Sequence, residues 1–243
     1  MANMKLYRVV CPIAERVNEV VCTSPTVIVT PRIAETVRLS PVFEKIVDFW
    51  EKTGCQLTTA VQALTEIPKY LISLNSARVN HYMLFPARFI NEKDETIFKT
   101  EELTNYIESY MNQNIVLPCE SVGTIWEFLW ERIRRKSYPQ CISRYTCLFT
   151  FETKANAERY LKECKDEDAE YNKNTHILDK VCEVEVLESQ RMEQYDMHWL
   201  NDISIFSTYD LYEQMVTDYW SGKLTKDPLM ECLFHGVYRI ILA

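Results

Sequence analysis

Apolar and polar positions first alternate and then change period along this chain. Leu6, Arg8 and Val10 interleave with Tyr7, Val9 and Cys11 in a β-branched run closed by Pro12, which predicts a first strand. A second short strand is expected over 26–30, "TVIVT". From about Pro41 to Asn75 the spacing turns to three and four residues, through Phe43, Ile46, Val47 and Trp50 and then Leu57, Val61 and Leu64, with Gly54 as the break. "HYMLFPARFI" (81–90) is apolar with an internal proline, so it suits an edge strand or a buried irregular segment. Ser121 can cap a helix that buries Val122, Ile125, Trp126, Leu129, Trp130 and Ile133, leaves Glu127, Glu131, Arg132 and Arg135 to solvent, and stops before Pro139.

The second half reads more sharply. "ISRYTCLFTFET" (142–153) predicts a strand with Tyr145, Cys147, Phe149 and Phe151 on one face and Arg144, Thr146, Leu148 and Thr150 on the other. Thr153 then caps a helix whose inner side carries Ala157, Tyr160, Leu161 and Cys164. "KVCEVEVLE" (180–188) has the alternation of a half-buried strand. A helix from about Ser207 carries Tyr209, Tyr212, Met215, Val216, Tyr219 and Trp220 and ends at Gly222, and "MECLFHGVYRIILA" forms a terminal strand starting close to Glu231. Strands at both ends around a mainly helical 32–135 insertion predict an α+β fold in a single domain spanning 1–243.

Composition narrows the chemistry. With 243 residues, 47% of them hydrophobic, the chain can bury a sizeable core. No apolar run approaches the ~20 residues that cross a bilayer, and "MANMKLYRVV" lacks a secretion signal, so no membrane partner and a cytoplasmic location are expected. A formal net charge of −8 exerts no overall pull on nucleic acid, and only "ERIRRK" (131–136) is locally basic, either as a helix end or as a phosphate patch. The nine cysteines form no C-x-x-C pair and the four histidines no metal spacing, so no metal is expected. Glycines at 54, 123, 222 and 236 alone cannot write G-x-G-x-x-G or a Walker loop.

Three strand-associated polar positions are not demanded by packing: Arg8, the Ser143-Arg144-Tyr145 run, and Glu231. Together with "WERIRRKSYPQCISRYTCLFTFETKANAERYL" (130–161), "VCEVEV", "DYWSGK" and "ECLFHGVYRI", their order resembles a group of bacterial proteins that is itself similar to the ADP-ribosyltransferase fold. The resemblance covers the first ten residues and 130–243, and leaves 30–120 without a counterpart. It implies a split β-sheet core, NAD as co-substrate, Glu231 as the catalytic carboxylate, and Arg8, Ser143, Arg144 and Tyr145 as the residues that position NAD.

The implied chemistry is cleavage of the nicotinamide–ribose bond. A carboxylate stabilises the oxocarbenium-like cation, an arginine holds pyrophosphate, and an aromatic ring stacks on nicotinamide. ADP-ribose would pass to a macromolecular acceptor, a protein or a nucleic acid. Bacterial enzymes of this fold often serve as toxins or in phage defence, which implies an antitoxin partner. Two positions depart from the family pattern: Leu229 stands where many members carry an acidic or amide residue, and Ser143-Arg144-Tyr145-Thr146 replaces S-T-S, leaving either Ser143 or Tyr145 for the serine role. Arg144 can bind phosphate or pair with a glutamate such as Glu185. Trp220 can belong to the core or close the cleft. The rival expectation is an inactive interaction module of the same fold, with the helical segments 32–75 and 97–135 as its surface.

Overall fold

A computed structural model describes residues 5–13, 15–26, 31–58, 60–61, 88–90, 96–99, 125–170 and 176–242. The chain divides into two compact units. One consists of Met1–Pro31, Glu131–Asn201 and Thr217–Ala243, the other of Arg32–Trp130 and Asp202–Val216. The main part of the second unit, Arg32–Trp130, is completed by a second segment, Asp202–Val216.

The first unit is built on a five-stranded antiparallel sheet. β6 (Lys180–Asp196) runs between β1 (Lys5–Val10) and β7 (Met230–Ile241), and the far edge of β7 carries both β2 (Val20–Thr23) and β5 (Leu148–Thr150). Tyr7 and Phe151 then exchange backbone hydrogen bonds of 2.8 and 2.7 Å, so that β5 returns to β1 and the strands close on themselves. The inward face buries Leu6 and Val10 with Leu148, Cys182, Val184, Phe234, Tyr238 and Ile240. Outside, α3 (Lys154–Glu170) lays Ala157 and Tyr160 against Phe151, Met197 and Leu229, and Thr153 caps it through a 3.2 Å bond from the Asn156 amide.

Two bulges interrupt β6 opposite β7, between Val186 and Glu188 and between Ser189 and Arg191. Each adds a residue without a partner and bends the strand. Gly236 sits opposite this region at φ +153°, and a Cβ there would stand 2.1 Å from the Glu188 carbonyl oxygen, so only glycine fits.

β6 ends on Asp196, which is buried. Its carboxylate accepts from the Thr225 amide at 2.7 Å, the Thr225 hydroxyl at 2.6 Å, and the Leu229 and His198 amides at 3.0 and 3.2 Å. One side chain thereby fixes the loop leading into β7 and the start of α4 (His198–Asn201). Burial pushes the Asp196 pKa up, but these donors outweigh it and hold the carboxyl below its ordinary value.

In the second unit α1 (Pro31–Thr53) ends at Gly54, in a left-handed conformation at φ 63°. Trp50 packs on Tyr212 and Tyr209 at centroid distances of 5.0 and 5.6 Å, and the Tyr212 hydroxyl donates to the Leu129 carbonyl at 2.6 Å. β3 (Arg88–Ile90) and β4 (Thr96–Lys99) pair as a hairpin. α2 (Ile125–Ser137) and α5 (Tyr209–Trp220) each contribute residues to both units.

Several sequence expectations shift. The second strand lies at 20–23 rather than 26–30, of which 27–30 fall outside the described residues. The proposed cap Ser121 and the segments 62–75 and 81–87 also fall outside them. α1 begins ten residues before Pro41 and keeps that proline inside it. β6 extends to Asp196, well past Glu188. Glu131, assigned to solvent, is buried, because it accepts from Arg134 and Arg135 on the next turn of its own helix. The strand expected over 142–153 shrinks to 148–150, since 144–146 form a turn in which the Thr146 amide donates to the Ser143 carbonyl at 3.2 Å.

Asp196→Ala should lower stability by about 3 kcal/mol, because it strands buried backbone donors, with chemical denaturation as the measurement. Since the folded carboxyl lies below its ordinary range, the stability that Asp196 contributes is fully present above the unfolded value of about 3.9 and is lost as pH falls through the folded value. The wild-type melting temperature should therefore drop more steeply than that of Asp196→Asn in this acid range. Gly236→Ala should be among the most damaging single-methyl additions in the chain, read as a large fall in melting temperature.

Candidate functional site

The chemistry expected from the sequence centres on Glu231, the second residue of β7, in register with Tyr195 on β6. Along β7 Glu231 alternates with Cys232 and Phe234, and Phe234 lies in the inward cluster, so Glu231 faces out of the closed sheet. There it meets Arg144, brought in by the 144–146 turn. The Arg144 Nη1 donates to Glu231 Oε1 and to the Tyr219 hydroxyl at 2.9 Å, and Tyr219 donates to the same Oε1 at 2.6 Å. Arg144 and Glu231 are 6% and 3% exposed. Glu231 Oε2 has no hydrogen-bond donor among the described residues.

Aromatic rings surround the pair. The Arg144 guanidinium lies over Phe149 at 4.4 Å and over Tyr219 at 5.7 Å, and Tyr219 stacks with Tyr195 at 4.9 Å and Trp220 at 4.8 Å. Burial first, then the Glu231 charge, raises the Tyr219 hydroxyl well above its ordinary value, so it stays a neutral donor. Of the two readings open for Arg144, the structure shows the ion pair, with Glu231 instead of Glu185; Glu185 lies 3.7 Å from Arg239. Trp220 is buried in the core, in edge contact with Tyr195.

The other nominated residues are not gathered around Glu231. Arg8 shares the strand face of Leu6 and Val10, the inward one, where it bonds Glu15 at 2.8 Å and the Phe149 carbonyl at 2.7 Å. Arg8 and Glu231 therefore lie on opposite faces of the sheet, which corrects their expected convergence on one cleft. Tyr145 is buried, with the Arg135 guanidinium 5.3 Å from its ring centre. The Ser143 hydroxyl accepts from the Tyr145 amide at 3.2 Å and lines a cavity of about 380 Å³ with Ile142, Thr146, Gln190, Arg191 and His235. Glu231 is not among the residues lining it.

The basic run 131–136 also resolves. Arg134 grips Glu131 through Nε and Nη2 at 2.9 and 2.8 Å, while its Nη1 donates to the carbonyls of Pro139 and Cys141 at 3.1 and 2.9 Å. It fastens the loop ahead of Ser143 to α2. Across that loop Glu193 accepts from the Ile142 amide at 2.6 Å and the Tyr195 hydroxyl at 2.9 Å. His235 Nε2 lies 3.2 Å from the Thr146 hydroxyl, and burial together with the Arg191 charge lowers its pKa.

Residues 51–242 of this chain match the family described as protein of unknown function, DUF2441. The chain belongs to the DUF2441 family. No curated protein matches it. The matched span takes in Arg144, Tyr219 and Glu231 and leaves out β1 with Arg8. Among the described residues of this DUF2441 chain no group of His, Cys, Asp or Glu could hold a metal ion, and no helix is long and apolar enough to cross a membrane.

Tyr219 and Glu193 are the residues that sequence reasoning missed. Tyr219 reads as one more aromatic on an apolar helix face, and its only local signal is its place next to Trp220 at the helix end. Removing one side of the buried pair, as in Arg144→Met, should cost about 3–5 kcal/mol by leaving Glu231 uncompensated, whereas Arg144→Met combined with Glu231→Leu should recover much of that loss. Urea unfolding of the two single variants and the double variant measures the coupling directly.

Proposed function

We propose that this protein is a binding module whose residue plan resembles that of the ADP-ribosyltransferases, with Glu231 serving to hold the first unit together rather than to act on NAD. The observation that carries this reading is the state of the carboxylate. Oε1 takes both Arg144 and Tyr219, and the residue is 97% shielded from solvent. The reaction needs a carboxylate at the ribose hydroxyls, where charge develops. The cavity that Ser143 lines reaches β7 at His235, four residues along the strand, about 13 Å away. Leu233, which is fully buried, occupies the same face between them. Leu229, where many members of that family carry a second acidic or amide group, is turned into the core beside Phe151, Ala157 and Met197.

ADP-ribosyl transfer is the second reading, and one observation favours it. Glu231 Oε2 has no donor among the described residues, so a ribose hydroxyl could bond to it once the last turn of α5 and the 144–146 turn part. The C1′–N bond would then break with its electron pair leaving on nicotinamide. Glu231 would stabilise the ribosyl cation until an acceptor nucleophile, or water, added to C1′. On this reading the partner is that acceptor; on the first it is a molecule recognised without chemistry.

Incubation of the purified protein with NAD, alone and with cell lysate, decides between them. The expected result is no free nicotinamide and no NAD-induced rise in melting temperature. Nicotinamide release that vanishes in a well-folded Glu231→Gln variant would overturn the binding-module reading and establish the transferase.

A further inference from the structure

The cavity beside Ser143 has features that fold stability alone does not require. Gln190 and Arg191 are adjacent on β6, and neighbours on a regular strand point to opposite faces. Both nevertheless line this cavity, because the bulge between Ser189 and Arg191 re-aims one of them. Arg191 is only partly consumed by the fold. Its Nη2 donates to the Gln140 carbonyl at 2.6 Å and pairs with Glu193, while Nε and Nη1 have no acceptor among the described residues. Glu193 is shared among Arg191, the Ile142 amide and the Tyr195 hydroxyl. On the other side Arg134 is committed to Glu131 and two carbonyls. Ser143, Thr146, Gln140 and His235 add hydroxyl, amide and imidazole groups, and Pro25, Pro139 and Ile142 form apolar walls.

We propose that this cavity binds a small molecule bearing an oxyanion, a carboxylate or a phosphate monoester, that accepts from the unbonded Nη1 of Arg191 with Ser143, Thr146 and His235 around it. A guanidinium nitrogen with spare donors gives such a group a charge-assisted hydrogen bond, to which the neighbouring hydroxyls and imidazole can add. The volume of about 380 Å³ falls at the small end of ligand pockets. This goes beyond the reading of Glu231, since none of these groups bonds to it.

His235 supplies a readout. Burial and the Arg191 charge keep its imidazole below the ordinary value of about 6.5, with Arg191 and Glu193 on β6 and Arg134 and Glu131 on α2 as the charged groups around the cavity. An anion on Arg191 offsets that cationic charge, so it should raise the His235 midpoint and bind more tightly as pH falls below neutrality.

The test is titration of the full chain with inorganic phosphate, adenosine 5′-monophosphate and acetate, followed by calorimetry and by the NMR signal of the His235 ring. Saturable binding of at least one probe is expected, weakened about tenfold or more in Arg191→Met and unchanged in Lys162→Met on α3. An upward shift of the His235 midpoint should accompany it. If Arg191→Met does not fold, Gln190→Trp fills the cavity from the exposed bulge without removing a hydrogen bond, and it should abolish binding. Phosphate probes binding without acetate would assign the ligand as a phosphate ester, and the reverse as a carboxylate. No saturable binding by any probe, or equal binding in wild type and Gln190→Trp, would overturn the proposal.

Discussion

A guanidinium withdrawn from water must meet a carboxylate, and much of the first unit is arranged around that requirement. Arg144 is nearly inaccessible to solvent, so β7 has to start where Glu231 can reach it, α5 has to end where Tyr219 can donate to the same oxygen, and Phe149 has to place its ring beneath the guanidinium. Such a pair contributes little net stability compared with an apolar replacement of similar shape. What it supplies is selectivity among packings, because any arrangement that separates the three groups leaves a charge buried without its counterion. The 144–146 turn is the local cost of bringing that arginine inward instead of continuing a strand.

Alternation sorts the remaining polar groups. A strand offers its side chains to two sides, and closing the sheet makes those sides unequal: one becomes an interior filled by Leu6, Val10, Phe234 and Tyr238, the other lies beneath helices. Arg8 shares parity with Leu6, and its headgroup goes to Glu15 and a backbone carbonyl. Glu231 has the opposite parity to Phe234. Two residues that look like partners when read in order along the chain are thereby separated by the sheet itself.

Features carried by a few neighbouring residues were legible in the sequence. These include the stops at Gly54 and Gly222, the Thr153 cap, the first strand, and the place where β7 begins. The two stops depend on one backbone conformation each, the cap on one side-chain hydrogen bond, and the strands show as local alternation. Most of what could not be read depends on pairings between distant segments. The extension of β6 to Asp196 and its two bulges are set by β7, and the burial of Glu131 follows from arginines that could equally have faced water. The role of Tyr219 rests on contacts 75 residues away in Arg144 and 12 away in Glu231. The mixed α+β class was visible because strand and helix periods differ; the closure of the sheet through Tyr7 and Phe151 has no periodic signature.

That closure bears on synthesis. β1 leaves the ribosome well before its partners, Phe151 and residues 180–185, and β6 in turn waits for β7. Until then the nascent chain carries an apolar strand with both edges unpaired, while the Arg32–Trp130 segment of the second unit is produced in between. Contacts of such long sequence separation fold slowly and leave edges open to intermolecular pairing. Accumulation of soluble protein in a cell should therefore be limited less by the depth of the native energy minimum than by how well chaperones shield residues 5–10 during translation.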